Sequence, residues 1–561
     1  MDIERKPERY RKRMAQLKKE VTSQEWRAHW AELAEYMLPR KGRYLSSDST
    51  KEDNRGEKRS SKIINGSICD AIRTLAAGMQ GGLTSPSRPW FRLTLPDPDL
   101  NEFGPVRNWL HDVRNAMLAV FQRSNFYGAI HSVYEELGVF GTNAMLINED
   151  MRDVVRFRPY TIGEYYLANG PTYLPDTLYR RFTLTARQIV AQFGLENCSD
   201  SVKRSLEKNQ GENRFTVVHA IQPNVDHDPA SLGIPGMAYE DVYFEEKPGA
   251  KEDNGFLRIG GYESIPFVAP RWAVTATDVY GRSPGMDALG DTRMLQTMES
   301  KSLKALDKMI DPPMNAPTTM RKSGNPNVLP GGVNYLDIQQ GSQGFTPAYQ
   351  INPRFQDMEY KIDRVEQRIS RFFFNDMFKM ILGQEKTMTA TEVAERHEEK
   401  LMMLGPVLER LQSEMLEPII SRTFQVVESL GAIPEAPPEI GEAGLQIKYI
   451  SLLAQAQQMV AAPSVEQFAG FVGNLAGVNP DVVDKMDFDQ AVDEYGDMLG
   501  VTPKIIRSDD DVAELRAQRS QQQQQAAQSE QMMQGAQGAK LLSETSMDNG
   551  SALDALMGGV A

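Results

Sequence analysis

Two helical stretches, residues 284–310 and 354–382, flank a segment crowded with Pro312, Pro313, Pro317, Gly324, Pro326, Pro330, Gly331 and Gly332. Proline and glycine break regular structure, so residues 311–353 read as a small irregular module at the end of an α-hairpin. At about 1.5 Å per residue each helix would run about 40 Å, long for a compact domain. A pair of that length is a spacer that holds two regions apart.

The 561 residues leave room for other domains on both sides of the pair. Thr22-Ser23-Gln24-Glu25 has capping-box spacing, and Trp26, Trp30, Leu33 and Met37 recur at helical intervals up to Pro39. Residues 40–62 are polar and read as a loop. A helix follows through Ile63, Ile64, Ile68, Ile72 and Leu75 to a stop at Gly81-Gly82, then a strand over 90–95 and helices at about 104–123 and 126–140. From 143 to 275 short β-type runs dominate, interrupted by one helix that starts at the capping box Thr185-x-x-Gln188 and stops at Gly194. A third long helix, 389–431, starts at Thr389-Ala390-Thr391-Glu392 and contains Gly405-Pro406 and Pro418, which should bend it. Beyond the Pro-rich linker 434–438 come short helical patterns and then a Gln- and Ala-rich tail, too poor in large apolar groups to bury a core alone.

Several classes of chemistry lack their signatures. There is no G-x-x-x-x-G-K-[ST], G-x-G-x-x-G or G-x-S-x-G motif. The six histidines never take metal-ligand spacing, and His397-Glu398-Glu399 lacks the second histidine of a zinc-protease helix. Asp97 and Asp99 sit among prolines as solvated turn residues rather than as an acid/base pair. Cys69 and Cys198 stand alone and read as buried small hydrophobes. No apolar run is long enough to span a bilayer, so no membrane role is expected, nor any metal, cofactor or enzymatic activity. The net charge of −14 argues against a protein that grips nucleic acid tightly.

Charge on the two long helices is nevertheless organised. Lys301, Lys304 and Lys308 step by three and four, as do Lys361, Arg364, Arg368 and Arg371, so each set forms a stripe. The stripes are either solvated faces and ion-pair partners of nearby carboxylates, or cations that face DNA phosphates in a channel. Gly383, Gln384, Glu385, Lys386, Thr387 and Met388 link two strong helices with nothing to anchor them in a core, and read as a surface connector or as a mobile loop lining a channel.

Three motifs in order resemble the head-to-tail connector (portal) family of short-tailed bacteriophages over residues 5–510. The first is Leu75-Ala76-Ala77-Gly78 leading through Leu83-Thr84-Ser85-Pro86 to Pro89-Trp90-Phe91-Arg92-Leu93. The second is Tyr280-Gly281-Arg282-Ser283-Pro284-Gly285, followed by Ala288-Leu289, Asp291 and Asp311-Pro312-Pro313. The third is Met388-Thr389-Ala390-Thr391-Glu392-Val393 with Leu404-Gly405-Pro406-Val407 and Leu416-Glu417-Pro418-Ile419-Ile420.

The resemblance implies an α+β, mainly helical chain assembled as a dodecameric ring around a channel for double-stranded DNA. It implies a wing over 1–283, stem helices 284–310 and 354–382, a clip over 311–353, a tunnel loop at 383–388, a kinked helix over 389–431, a crown over 432–507 and a tail over 508–561 that forms a helical barrel or stays disordered. It places Asn315, Thr318, Arg321, Lys322, Asn325 and Asn327 in the clip, where the terminase large subunit and later the tail adaptor or head completion protein dock. Major capsid protein and scaffold are the other implied partners. The implied location is the capsid vertex of the virion, after synthesis in the host cytoplasm. With no phosphate-binding loop, the chain would need a separate motor ATPase. The alternative is a structural or scaffold protein that forms no ring.

Overall fold

The computed structural model describes residues 7–45, 56, 58–97, 100–101, 103–247, 256–310, 355–382, 402–441, 444–450 and 509–544, with short pieces at 314–315, 346–347, 453, 462–477, 482, 485–490, 492, 546–547 and 550–551. These fall into two compact units. The first comprises 1–91, 114–433 and 449–460; the second comprises 92–113, 434–448 and 461–561.

The first unit opens with α1 (Pro7–Ser23) and α2 (Trp26–Tyr36). Thr22 is therefore not a cap: its hydroxyl donates back to the Lys18 carbonyl, and Glu25 takes a left-handed conformation (φ 61°) between the helices. The charged N-terminal stretch hides an apolar stripe of Tyr10, Met14, Leu17 and Val21, all buried. After a 3-10 turn (Lys41–Tyr44), α3 spans Ser67–Leu83. It starts four residues later than the isoleucine run predicts, because the Asn65 side chain accepts a hydrogen bond from the Ser67 amide, and it continues through Gly81-Gly82.

Helices α4 (Gly104–Arg123) and α5 (Phe126–Phe140) match their periodicity. Packed around Trp90, the rings of Phe91, Phe121, Phe126 and Phe157 make one aromatic core with centroid spacings of 4.6–6.3 Å. Strands β2 (Ala144–Asp150) and β3 (Val154–Tyr160) form a hairpin that β9 (Phe267–Val268) joins in the order β3-β2-β9.

An antiparallel five-stranded sheet runs β4-β5-β6-β7-β8, namely Tyr165–Asn169, Pro175–Thr185, Arg214–Pro223, Tyr239–Glu245 and Phe256–Tyr262. Side chains alternate across it. Tyr243 packs with the layer of α6 (Ala186–Phe193) and α7 (Asp200–Glu207), beside Ile189, Phe193, Cys198 and Val202, while Phe244 meets Tyr10 of α1 at 6.0 Å. The Thr185–Gln188 capping box at α6 is formed as expected. Cys198 is buried in this core, and burial pushes its thiol up to about 11; Cys69 is only half-buried, contrary to the expectation for it.

Helix α8 covers Pro284–Ile310, as predicted. The return helix does not run unbroken to 382: it divides into α9 (Phe355–Phe372) and α10 (Asn375–Leu382), with Phe374 between them at φ 53°. The described part of the insert is a two-residue antiparallel ladder, β10 (Met314–Asn315) with β11 (Thr346–Pro347), which closes its ends together. Residues 402–411 are helical and run on through a π turn (Gln412–Leu416) into α11 (Glu417–Ser429). Pro418 has no amide hydrogen for the Glu414 carbonyl, and the wider π turn absorbs the mismatch. Arg422 of α11 holds Glu149 of β2 at 3.3 Å.

In the second unit, β12 (Gln446–Tyr449) pairs with β1 (Phe91–Thr94), and the Trp109 indole donates to the Pro434 carbonyl. It also holds α12 (Ala462–Ala476) and α13 (Asp509–Glu544). The tail is thus helical over 36 residues, with Arg516 of α13 clasping Asp489 through two bonds of 2.6 and 2.8 Å.

Candidate functional site

The root of the helix pair explains the motif around Tyr280. The Tyr280 ring packs edge-on against Trp30 at 4.9 Å, and its hydroxyl accepts from the Leu167 amide. The Gly281 amide donates to the Thr142 hydroxyl, and a Cβ at Gly281 would overlap the Gly141 carbonyl. Ser283 caps α8: its hydroxyl accepts from the Met286 amide and donates to the Val139 carbonyl, with Pro284 at the first helical position, where its missing N–H costs nothing. A Cβ on Gly285 would stand 2.9–3.0 Å from the backbone of Gly138 and Val139. These small residues let α8 leave the first unit at backbone contact distance.

A second set of contacts clasps the pair higher up. The Gln296 amide accepts from the Ile64 and Asn65 backbone amides at 2.7 and 2.9 Å and donates to the Asn65 carbonyl. The Asn65 side-chain amide bonds Glu299 of α8 at 2.8 Å and Glu366 of α9 at 2.7 Å. One side chain thereby ties the segment before α3 to both helices, a role unmarked in the sequence except by the turn-forming Asn65-Gly66.

Of the channel candidates, Lys301, Lys304 and Lys308 are exposed on α8, on the face opposite Thr292, Leu295 and Gln296. Lys361, Arg364, Arg368 and Arg371 are exposed on α9. The two readings of these stripes divide by residue. Arg368 is the ion-pair case, gripping Asp291 of α8 through bonds of 2.8 and 2.9 Å, and Arg364 lies 5.7 Å from the Tyr360 ring. Lys301, Lys304, Lys361 and Arg371 keep exposed charge. Lys386 and the rest of 383–388 lie outside the described residues, as do Thr318, Arg321, Lys322, Asn325 and Asn327; Asn315 lies in β10.

The same exposed half of the pair carries Leu303, Leu306, Met309 and Ile310 on α8 and Tyr360 on α9, with Ile310 74% exposed. Charged and apolar surface alternate around helices that a single chain leaves largely uncovered.

One buried cluster has the residue types of a catalytic site. His219 Nε2 lies 2.6 Å from Asp241 Oδ1, and Arg258 reaches Asp241 Oδ2 at 2.7 Å. The imidazole stacks on Tyr243 at 4.0 Å, and both His219 and Asp241 are fully buried in the sheet, away from any substrate. Burial holds His219 below its ordinary 6.5, while burial of Asp241 is outweighed by the bonds from His219 and Arg258, which keep it below the usual carboxylate range. Both folded values are depressed, so the stability each contributes is complete above its unfolded value and lost as pH falls through the folded one. The unfolding midpoint in urea is expected to hold above about pH 6.5 and to decline toward pH 5 as His219 charges. In His219→Gln, which keeps a donor for Asp241, that decline should become shallower, the remainder including His29, which burial also holds below 6.5; an unchanged slope would assign it wholly to other groups. Among the described residues no cluster of His, Cys, Asp and Glu could hold a metal ion, and no helix is long and apolar enough to cross a membrane.

The ordered motifs, the α+β framework and the long helix pair coincide with one family. The chain belongs to the bacteriophage head to tail connecting proteins, whose profile matches residues 8–506. More particularly, it is 42% identical over 555 residues to the portal protein of Salmonella phage epsilon15, covering 99% of this chain and 98% of that one. It is 43% identical over 509 residues to the probable portal protein of Bordetella phage BPP-1, covering 91% and 90%. Among solved structures, the neck of a native gene transfer agent particle computed with C12 symmetry matches with a TM-score of 0.34 and 9% identity, over 79% of this chain and 93% of that one.

Proposed function

We propose that the chain is a portal subunit, which assembles with its own copies into a ring through which double-stranded DNA enters and leaves a phage capsid. The observation that carries this reading is the family match together with 42–43% identity to two phage portal proteins along nearly the whole chain. The chain's part is structural, and a separate motor supplies the energy of packaging.

In this reading residues 1–283 are the wing, 284–310 (α8) and 354–382 (α9 and α10) the stem, 311–353 the clip, 383–388 the tunnel loop, 389–431 the kinked helix, 432–507 the crown and 508–561 the tail. The apolar stem residues Leu303, Leu306, Met309 and Ile310 support ring assembly, since a neighbouring copy would cover them and head-to-tail contacts make a ring when the rotation between copies closes. Lys301, Lys304, Lys361 and Arg371, repeated around the ring, and Lys386 in the loop would meet DNA weakly, which suits a chain of net charge −14 that must let DNA slide. The clip residues Asn315, Thr318, Arg321, Lys322, Asn325 and Asn327 would dock terminase and then the tail adaptor, and the wing would face capsid protein and scaffold.

Native mass measurement with negative-stain imaging tests the reading. Rings of about twelve copies with a central hole are expected, and Leu306→Glu combined with Ile310→Glu should leave a folded chain that no longer closes rings. A wild-type chain that stays monomeric, also when expressed together with its scaffold, would sink the proposal.

A further inference from the structure

Within the first unit lies a cleft of about 270 Å³ whose lining is unlike the rest of this acidic chain. Lys18 of α1, Arg27 of α2, Arg43 of the 3-10 turn and Arg180 and Arg181 of β5 surround it, with Glu164 as the single lining carboxylate. Arg180 holds Glu164 through Nε and a terminal nitrogen at 2.7 and 2.6 Å, and its guanidinium stacks over Tyr160 and Phe182 at 4.3 and 4.4 Å. Arg181 grips Glu246 through two bonds of 2.9 and 2.8 Å. Arg27 donates to the Tyr44 carbonyl, which sets its direction, and Arg43 lies over the Tyr44 ring at 5.3 Å. The guanidinium planes are thus oriented by packing and hydrogen bonds before any ligand arrives, while the Lys18 ammonium stands exposed at the edge. Tyr44, Tyr166, Thr183 and Thr216 complete the lining.

We propose that this cleft is an oxyanion site that takes a phosphate group, supplied either by a free phosphate or by the backbone of nucleic acid. Guanidinium groups match phosphate through paired N–H donors, and oriented ones lose little entropy on binding. The added ammonium, beside side chains that carry hydroxyl groups, suits a tetrahedral group with three or four acceptor oxygens better than a carboxylate with two. Of the five cations, Arg180 and Arg181 are paired with Glu164 and Glu246, so Lys18, Arg27 and Arg43 are the ones that would draw an anion to the cleft against the repulsion of a chain of net charge −14. The elements that contribute are far apart in sequence, so no linear motif marks the site, and it is separate from the helix pair assigned to the channel.

The test is calorimetric titration of the full-length assembled protein at low salt with pyrophosphate, and separately with a short blunt DNA duplex. Pyrophosphate is expected to bind, and Lys18→Glu and Arg43→Gln should each weaken it by about ten-fold or more, while Lys18→Arg and the stem variant Lys304→Glu retain it. Oligomeric state and thermal midpoint should not move in Lys18→Glu, whose side chain is exposed, so that variant decides the matter if Arg43→Gln does not fold. Competition between duplex and pyrophosphate identifies nucleic acid as the source, and pyrophosphate binding that duplex leaves untouched identifies a free phosphate. The proposal is overturned if pyrophosphate does not bind at millimolar concentration, if it binds Lys18→Glu as tightly as the wild type, or if an acidic peptide occupies the cleft and pyrophosphate does not.

Discussion

Replacing Glu414 by alanine is expected to cost about 3–5 kcal/mol of unfolding free energy, among the largest effects of any single substitution in this chain. Glu414 sits in the π turn and is paired with Arg271, and the two are only 7% and 4% exposed. Its Oε1 and Oε2 take the Arg271 guanidinium at 2.8 and 3.1 Å, and Oε2 also accepts from the Arg271 backbone amide. Two of the three remaining guanidinium hydrogens go to the carbonyls of Asp278 and Tyr173. Removing the carboxylate leaves a fixed cation out of water with no countercharge. Alanine is a good helix former, so the loss cannot be assigned to the backbone. The companion Arg271→Met with Glu414→Leu removes both charges and should recover much of the loss, because a well-packed apolar pair is often as stable as a buried ion pair. Urea unfolding followed by tryptophan fluorescence reads both; a single variant within about 1 kcal/mol of the wild type would mean that water reaches the site and the pair acts as a surface one.

The second large effect is expected from Gly281→Ala. The added Cβ would overlap the Gly141 carbonyl and stand 3.0 Å from the Arg271 Cβ and 3.1 Å from the Ala273 carbonyl. Two of these three obstacles are backbone, and the Gly141 carbonyl already accepts the Trp272 amide at 2.9 Å, so nothing soft can yield. Relief must come from parting the bridges Thr142–Arg271 and Ala273–Arg282, which set the direction in which Ser283 launches α8. A cost of about 3 kcal/mol, or loss of soluble protein, is expected. A variant with an unchanged melting temperature and an intact ring would show that the two bridges part easily, contrary to this packing.

Much of the framework was legible in local pattern. Helices α4, α5 and α8 follow from clean 3.6-residue periodicity and from the serine and proline that open α8. The elements missed share one cause, a tertiary partner that local sequence does not advertise. Strand β5, the longest of the sheet, shows no alternation because it lies between β4 and β6: it is buried on both faces over Thr177–Tyr179 and half-buried from Arg180 on. In α1 the lysines and arginines outnumber the buried apolar residues Tyr10, Met14, Leu17 and Val21, of which Tyr10 meets Phe244 of β7 and Phe256 of β8. The break at Phe374 cannot be read from a helical stretch that contains no proline or glycine; what imposes it is the seat of α10 on α3, where Phe378 fills the space that Gly78 leaves open. The basic stripes were visible as spacing, but which member is spent on Asp291 depends on the crossing of two helices. The phosphate-fitting cleft, drawn from six elements, had no local signal.

The clasp by Asn65 has a mechanical consequence. It grips α8 at Gln296 and Glu299, leaving the last eleven residues or so, about 17 Å, as an overhang. A beam held at one end deflects in proportion to the cube of its free length, so the position of the clamp, more than the stiffness of the helix, sets how far its tip sways under a given load. Moving the clamp by one turn toward the root would lengthen the overhang by about a third and more than double that sway. Asn65 therefore acts as the tuning peg for the compliance of the lower helix pair.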